Sequence, residues 1–317
     1  MNLPVVDIAA FAADASPTER IVRQVRAALS EVGFMYVRGH GIPPAVLREA
    51  QQASRRFFAQ PPAVKDRFAY RHVDLEANFG FHGLEVERLD PTSAPDLKES
   101  FSMRNAPAVT HADRWPGHEF RNTALELYAS CLSASYRIMG IMAAGLDLPP
   151  EFFTKRHQGQ NVTLRFLHYP AGLPVTSATQ LGAGEHTDYG SITLLHQDEV
   201  GGLEVCGADG HWRSAPAVPD ALLVNTGDLM QRWTNDRFRS TVHRVRPISG
   251  FTDRYSIAFF VDPDSDVRVE CIESCKSESS PPRHAPITAA EHIQAKIAAS
   301  QNNQPARGSP PLVPRSD

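Results

Sequence analysis

Residues Ser191–Ser214 read SITLLHQDEVGGLEVCGADGHWRS, three short strand-like runs divided by glycine turns. Segments 191–197, 202–206 and 211–214 have the β-branched and aromatic texture of strands, and Gly201-Gly202 and Asp209-Gly210 break the chain between them. Outward from this stretch the pattern repeats, at 161–169 upstream and at 221–225, 241–246 and 254–261 downstream, with Gly227-Asp228 as a further turn. Many short strands in series predict a sandwich or jelly roll, not a parallel sheet with crossover helices.

Upstream of residue 161, helices and strands alternate. Ser16-Pro17-Thr18-Glu19 is a capping box with proline at the first helical position, and Ile21, Val25, Leu29 and Val32 recur behind it at helical spacing. Gly33 ends that helix, and Phe34-Met35-Tyr36-Val37 comes next as a strand. Pro43-Pro44 opens a second helix carrying Val46, Leu47, Ala53 and Phe57-Phe58. Near residue 118 a long helix begins and aligns Phe120, Ala124, Leu127, Cys131, Ala134, Ile138 and Ile141 in one apolar stripe. That spacing puts Cys131 in the core, and Gly145 and Pro149-Pro150 end the helix. Thr288-x-x-Glu291 caps a last helix with Ile293 and Ile297.

Past residue 300 the chain is rich in Gln, Asn, Pro, Gly and Ser and is expected to be a disordered tail, in which Leu312-Val313-Pro314-Arg315 resembles a protease-site linker. The expected organisation is one structural unit, mainly β with flanking α. Residues 1–115 form an N-terminal α/β region, 116–157 the long supporting helix, 158–265 the jelly-roll core, 266–299 a C-terminal helix region and 300–317 the tail.

With 317 residues, 42% of them hydrophobic, the chain can bury a sizeable core. Its 32 basic and 36 acidic residues leave a net charge of −4, no surplus to hold a phosphate backbone, so no nucleic-acid partner is expected. The longest near-apolar run, Ile138 to Leu146, is far short of the roughly 20 residues that span a bilayer. Met1-Asn2-Leu3-Pro4 lacks the basic start and apolar stretch of a secretory signal. Four cysteines without Cys-x-x-Cys spacing suit a reduced, cytoplasmic setting.

His186-Thr187-Asp188 stands just before the strand that begins at Ser191. Residues two apart on an extended segment point the same way, so imidazole and carboxylate can converge on one ion. His243, on another predicted strand, supplies a third ligand. Two histidines and one carboxylate on one face of a metal leave the other face open, the ligand set of non-haem Fe(II) oxygenases. In a chain with 13 histidines a His-x-Asp triplet is weak alone, and the segment downstream of His243 strengthens it. Arg254 and Ser256 face one way on the strand 255–261, and a guanidinium fork beside a hydroxyl suits a bound carboxylate.

The combined pattern His186-x-Asp188, His243 and, ten intervening residues later, Arg254-x-Ser256 resembles the Fe(II)- and 2-oxoglutarate-dependent dioxygenase superfamily, in its isopenicillin N synthase-like branch. Gly33-Phe34, Gly39-His40-Gly41-Ile42, Asp96-Leu97-Lys98-Glu99-Ser100-Phe101, His168-Tyr169-Pro170 and Asn225-Thr226-Gly227-Asp228 resemble further segments of that family, over roughly residues 3 to 297. The resemblance implies a distorted double-stranded β-helix flanked by helices, with His186, Asp188 and His243 on iron. It implies Arg254 and Ser256 on the distal carboxylate of 2-oxoglutarate, and Tyr169 close to that cosubstrate. Plant members carry asparagine two residues before the tyrosine. Here Leu167 stands there, and Arg165, on the same strand face, is the replacement donor or else an arginine facing substrate or solvent.

Dioxygen is then a second cosubstrate, and ascorbate is a conceivable reductant. The implied reaction is oxidative decarboxylation of 2-oxoglutarate coupled to hydroxylation, desaturation or cyclisation of a small molecule by a monomer or weak homodimer. The alternatives are an oxidase of the isopenicillin N synthase or aminocyclopropane-carboxylate oxidase kind without 2-oxoglutarate, an ethylene- and succinate-forming enzyme, or a non-catalytic metal-binding protein. Elsewhere, His40, His168 and His196 are expected to hydrogen-bond within the fold, and Cys271-x-x-x-Cys275 to be ordinary. Phe260 is expected to wall the cosubstrate pocket, and Asn225 and Asp228 to be turn residues.

Overall fold

The structure, a computed structural model, describes residues 3–11, 17–70, 78–177 and 179–301. The N-terminal α/β region comprises β1 (Val5–Asp7), α1 (Glu19–Glu31), β2 (Phe34–Arg38), α2 (Pro44–Phe58) and the single turn α3 (Pro62–Lys65). Helix α1 starts later than its capping box suggests. Its N-cap is Thr18, whose hydroxyl accepts the Ile21 N–H at 3.4 Å, and Ser16 lies outside the described residues. Gly33 ends α1 at φ +77°, where a Cβ would stand 2.4 Å from the Arg239 carbonyl oxygen, so only glycine fits that turn.

Two strands that periodicity does not announce come next, β3 (Phe79–His82) and β4 (Glu99–Arg104), and then the long helix α4 (His118–Ala144). Every residue of its expected stripe is buried, Cys131 included. The β series then runs β5 (Val162–Tyr169), β6 (Ala183–His186), β7 (Ile192–Gln197), β8 (Leu203–Cys206), β9 (Trp212–Ser214) and β10 (Ala221–Thr226). The short helix α5 (Asp228–Trp233) precedes β11 (His243–Val245) and β12 (Arg254–Val261), and α6 (Ala289–Gln301) comes last. At α6, Thr288 N–H and Oγ1 reach Glu291 Oε2 at 2.9 and 2.8 Å while Glu291 N–H donates back to Thr288 Oγ1, the reciprocal cap its sequence predicts. Of the expected tail, residues 300 and 301 belong to α6 and the rest lies outside the described residues.

The strands form two main sheets. The larger has the order β1-β2-β10-β7-β12-β5-β4-β3, antiparallel except for β1 with β2, and the smaller has the order β6-β11-β8-β9. This is the mainly β jelly roll with flanking helices, without closure into a barrel. Alternation along the large sheet assigns its two faces. Tyr255, Ile257, Phe259 and Val261 of β12 join the helix-side core, with Phe259 5.2 Å edge-on to Tyr128 of α4. Phe101 of β4 meets Phe57 of α2 at 5.1 Å on that same side. The opposite face looks toward the smaller sheet across a second core that includes Phe34, Leu167, Leu203, Val205 and Val245. Between the sheets lies a cavity of about 630 Å³, into which Arg254, Ser256, Ala258 and Phe260 project from β12 and Thr163, Arg165, Leu167 and Tyr169 from β5.

His157 joins the segment that follows α4 to the start of β7 and is expected to make stability depend on pH. It is fully buried, with Nδ1 2.7 Å from the Phe153 carbonyl and Nε2 2.9 Å from Ser191 Oγ. The neutral ring satisfies both contacts, donating from Nδ1 and accepting at Nε2 from the hydroxyl. Burial pulls its pKa from the ordinary 6.5 down to about 4. The unfolded chain therefore binds a proton that the folded chain refuses, so His157 contributes stability above its unfolded pKa that is lost as pH falls toward the folded one. In metal-free protein, the urea-unfolding midpoint should drop between about pH 7 and about pH 5, and His157→Asn should drop less over that window. Equal drops in both proteins would remove His157 as the source.

Candidate metal and cosubstrate site

His186 ends β6 and His243 begins β11, and the two are directly paired across the small sheet. Asp188 lies in the loop to β7. One ligand atom from each of the three lies within 4.8 Å of the others. Asp188 Oδ1 is 3.9 Å from His186 Nε2 and 3.8 Å from His243 Nε2. Each ring is oriented from behind. His186 Nδ1 meets the Gly184 carbonyl at 2.7 Å and His243 Nδ1 the Thr241 carbonyl at 3.1 Å, which fixes the proton on Nδ1 and leaves Nε2 lone pairs facing Asp188. Phe34 packs edge-on against His243, with 5.3 Å between ring centroids.

Asp188 is oriented too. Its Oδ2 accepts from Thr193 Oγ1 at 2.6 Å and from Asn225 Nδ2 at 2.7 Å, leaving Oδ1 toward the imidazoles. Burial alone would raise the Asp188 pKa, yet His243, His186 and these two hydrogen bonds hold it below the usual carboxylate range. Burial, then the neighbouring His243, pushes His186 well below its ordinary value. A charged carboxylate and a neutral imidazole are the protonation states metal ligation requires. The donor set, two nitrogens and one oxygen on one side with the cavity on the other, fits Fe(II). Asn225 is thus no turn residue: it lies on β10, and cross-strand register with Thr193 brings it to the carboxylate. Asp228 begins α5, where it accepts from Ser240 Oγ at 2.6 Å and pairs with Lys296.

Arg254 stands 1% exposed on β12, paired in register with Tyr169. Its Nη1 donates to Ser256 Oγ at 3.2 Å and its Nη2 to Gln197 Oε1 at 2.9 Å, and its guanidinium lies 4.6 Å from the centre of the Tyr169 ring. Its Nε has no partner, and among the described residues no carboxylate lies within ion-pair distance of it. A desolvated cation without a counter-ion is costly, and here it lines the cavity that holds the triad. Gln197 is a contributor that sequence motifs do not reveal. Its one signal is parity, since it lies in step with Thr193 and Leu195 and opposite Ser256. Its amide is set by donation from Nε2 to the Ala215 carbonyl at 2.8 Å.

Arg165 shares the cavity face of β5 with Leu167, but its Nη2 donates to Glu87 and to Ser100 Oγ. Burial would raise the Glu87 pKa, but Arg165, Lys98 and His82 hold that carboxyl well below its ordinary range. Lys98 pairs in turn with Asp96, whose Oδ1 accepts the Gly184 N–H at 2.9 Å. The segment 96–101 is therefore a chain of buried polar contacts ending at the backbone that orients His186. Glu99 extends it on the helix side to Lys65 at 2.7 Å and His168 at 2.7 Å. His168 and His40 hydrogen-bond within the fold as expected, His40 through Nδ1 to the Ile42 N–H. His196 differs, since its buried Nε2 has no hydrogen-bond partner among the described residues. Phe260 lines the cavity, and the four cysteines stand unpaired.

Comparison with known proteins agrees with this geometry. The profile of the 2OG-Fe(II) oxygenase superfamily matches residues 160–263, and that of the non-haem dioxygenase N-terminal region named for morphine synthesis matches residues 3–123. A 2-oxoglutarate-Fe(II) type oxidoreductase of Emericella nidulans is 33% identical over 311 residues, covering 92% of this chain and 88% of the relative. A 2-oxoglutarate-dependent dioxygenase of Monascus ruber is 35% identical over 86% of this chain and 88% of its own. Among solved structures, a full-length Neurospora crassa protein in complex with alpha-KG superposes with a TM-score of 0.84 at 29% identity, covering 94% of this chain and 96% of that one. With the histidine pair on the small sheet, the carboxylate in the loop after β6 and the buried arginine on the large sheet, the chain belongs to the 2OG-Fe(II) oxygenase superfamily, in its isopenicillin N synthase-like branch, and is a 2-oxoglutarate-dependent Fe(II) dioxygenase.

Proposed function

We propose that His186, Asp188 and His243 hold the Fe(II), that Arg254, Ser256 and Tyr169 seat 2-oxoglutarate, and that the outcome is hydroxylation of a small molecule. The observation that carries this reading is the fully buried Arg254, a cation lacking an anion, in the same cavity as the three ligands. A dicarboxylate would place its far carboxylate on the Arg254 fork, with Ser256 free to donate a further hydrogen bond, and reach the metal with its other end. Gln197 fixes the fork and Tyr169 covers its face. Arg165, opposite Ala258 across the β5–β12 ladder, borders the same space while holding Glu87.

Iron held there supplies the redox chemistry: 2-oxoglutarate and dioxygen yield succinate, carbon dioxide and one oxygen atom inserted into a substrate C–H bond. The chain's own share is to keep the ligands preset, seat the keto acid, and shield the cavity with Phe260 and Leu167. In the alternative, an oxidase that dispenses with 2-oxoglutarate, Arg254 would have to pair with a carboxylate of the substrate itself. We read the enzyme as a cytoplasmic monomer or weak homodimer. Among the described residues no helix is long and apolar enough to cross a membrane. Anaerobic Fe(II) titration with and without 2-oxoglutarate tests the reading. A visible charge-transfer band should grow only when both are present, and its absence at millimolar 2-oxoglutarate would favour the oxidase.

A further inference from the structure

The cavity continues well past the cosubstrate anchor. Across its floor, Arg104, Thr163, Phe260 and Thr193 form one row on four neighbouring strands, in direct register through β4, β5, β12 and β7. Strands about 4.8 Å apart put Arg104 roughly 14 Å along the sheet from Thr193. Thr193 is bonded to the ligand Asp188, so one end of the row marks the metal and the other end is cationic. Side chains stand roughly perpendicular to a sheet, so Arg104 rises into the cavity at one end of that span and leaves room for a small molecule between it and the metal.

The charges of the cavity are distributed unevenly. Lys98 and Arg165 are matched by Asp96 and Glu87, Arg254 faces the cosubstrate, and Asp188 belongs to the metal. Arg104 and Arg88 also line the cavity, and among the described residues neither forms an ion pair. One further acid, Asp262, continues the cavity face of β12 beyond Phe260 and lodges its carboxyl over Gly190, in the loop that carries Asp188, where a Cβ would stand 1.5 Å from Oδ1. Asp262 and Arg104 feel each other's charge without closing to an ion pair, and one carboxyl offsets at most one of the two arginines. Since Fe(II) and 2-oxoglutarate cancel each other's charge, the cavity keeps a positive excess with the site loaded, and Arg104 is the cation at the far end of the row. Phe260 and Ile293 give apolar walls between the charged end and the metal.

We propose that the substrate is a small carboxylic acid whose carboxylate is held by Arg104, with the carbon to be oxidised presented at the metal end of the row. This rests on the oxygenase reading above. The test uses the full chain with Fe(II) and 2-oxoglutarate under argon, following the visible band as paired probes are added. The pairs are phenylacetate with phenylacetamide, hexanoate with hexanamide, and proline with prolinamide. At least one acid should shift the band while its amide does not. Arg104→Ala should weaken that acid by about 10- to 100-fold, as losing a charged hydrogen bond typically does. Arg104→Lys should recover part of the loss, because it keeps the charge without the fork. Thermal melting of both variants checks that they are folded. Amides matching acids, no acid in the panel shifting the band, or unchanged affinity in folded Arg104→Ala would overturn the proposal. No band in wild type with 2-oxoglutarate alone would strike the oxygenase reading itself, and this proposal with it.

Discussion

His243→Ala should abolish stoichiometric Fe(II) binding and turnover while the chain stays folded. The substitution removes one of three donors that lie within 4.8 Å of each other, and the two that remain cannot form a facial set. Folding should persist because the ring contributes only an edge contact to Phe34, a tilted contact to the His186 ring and one bond to the Thr241 carbonyl. Asn225→Ala is the calibrating variant. It leaves every ligand in place but removes one of the two hydrogen bonds to Asp188 Oδ2, and losing a residue that orients a ligand typically costs about 10- to 100-fold in metal affinity or activity. The two effects should therefore differ in kind, a lost site against a loosened one. Equilibrium dialysis of Fe(II) under argon, with circular dichroism as the folding check, measures both. Full iron binding by the His243 variant would move the metal elsewhere.

Arg254→Ala should weaken 2-oxoglutarate by roughly 10- to 100-fold or more, from the typical loss of about 1.5–3 kcal/mol for a charge-assisted hydrogen bond. The effect should lie toward the high end, because the guanidinium is 1% exposed and water cannot take over its role. Arg254→Lys keeps the charge but loses the planar fork that donates to Ser256 and Gln197 while facing a carboxylate, so it should restore only part of the affinity. Ser256→Ala should cost less, about 0.5–1.5 kcal/mol for an ordinary hydrogen bond. Iron binding without cosubstrate should be unaffected, since none of these atoms approaches the triad's donors. Titration of 2-oxoglutarate into the Fe(II) protein under argon reads all four proteins. Unchanged affinity in Arg254→Ala would shift attention to Arg165.

How far the site was legible in sequence depends on how each residue acts. Of the proposed site residues, His186 with Asp188 and Arg254 with Ser256 are pairs two apart on extended chain that residue type and interval can mark. His243, 57 positions after His186, enters only as a third ligand from another expected strand. Asn225 and Gln197 act through register, each reaching its partner from another strand, and no interval along one chain encodes that. The stripe of α4 was readable because seven apolar side chains repeat its turn. Strands β4 and β6 were not, because β4 buries Glu99, Ser100 and Ser102 in polar contacts and β6 opens Ala-Gly. Buried polar pairing erases the alternation that announces a strand. It also explains Arg165, whose parity was predicted and whose attachment to Glu87 was not.

The order of the large sheet has a bearing on how this protein can be divided. Its two flanks, β1-β2 on one side and β4-β3 on the other, are both built from the first 104 residues, while the strands they bracket come after residue 161. A fragment beginning at the catalytic half would leave β10 and β5 each with an unsatisfied row of backbone N–H and C=O groups, two open templates for another chain to add to. Evolution could lengthen loops or replace cavity residues at will, but it could not detach the N-terminal segment. The leading third of this oxygenase serves as the selvedge of its sheet, sealing both margins of the fabric that carries the chemistry.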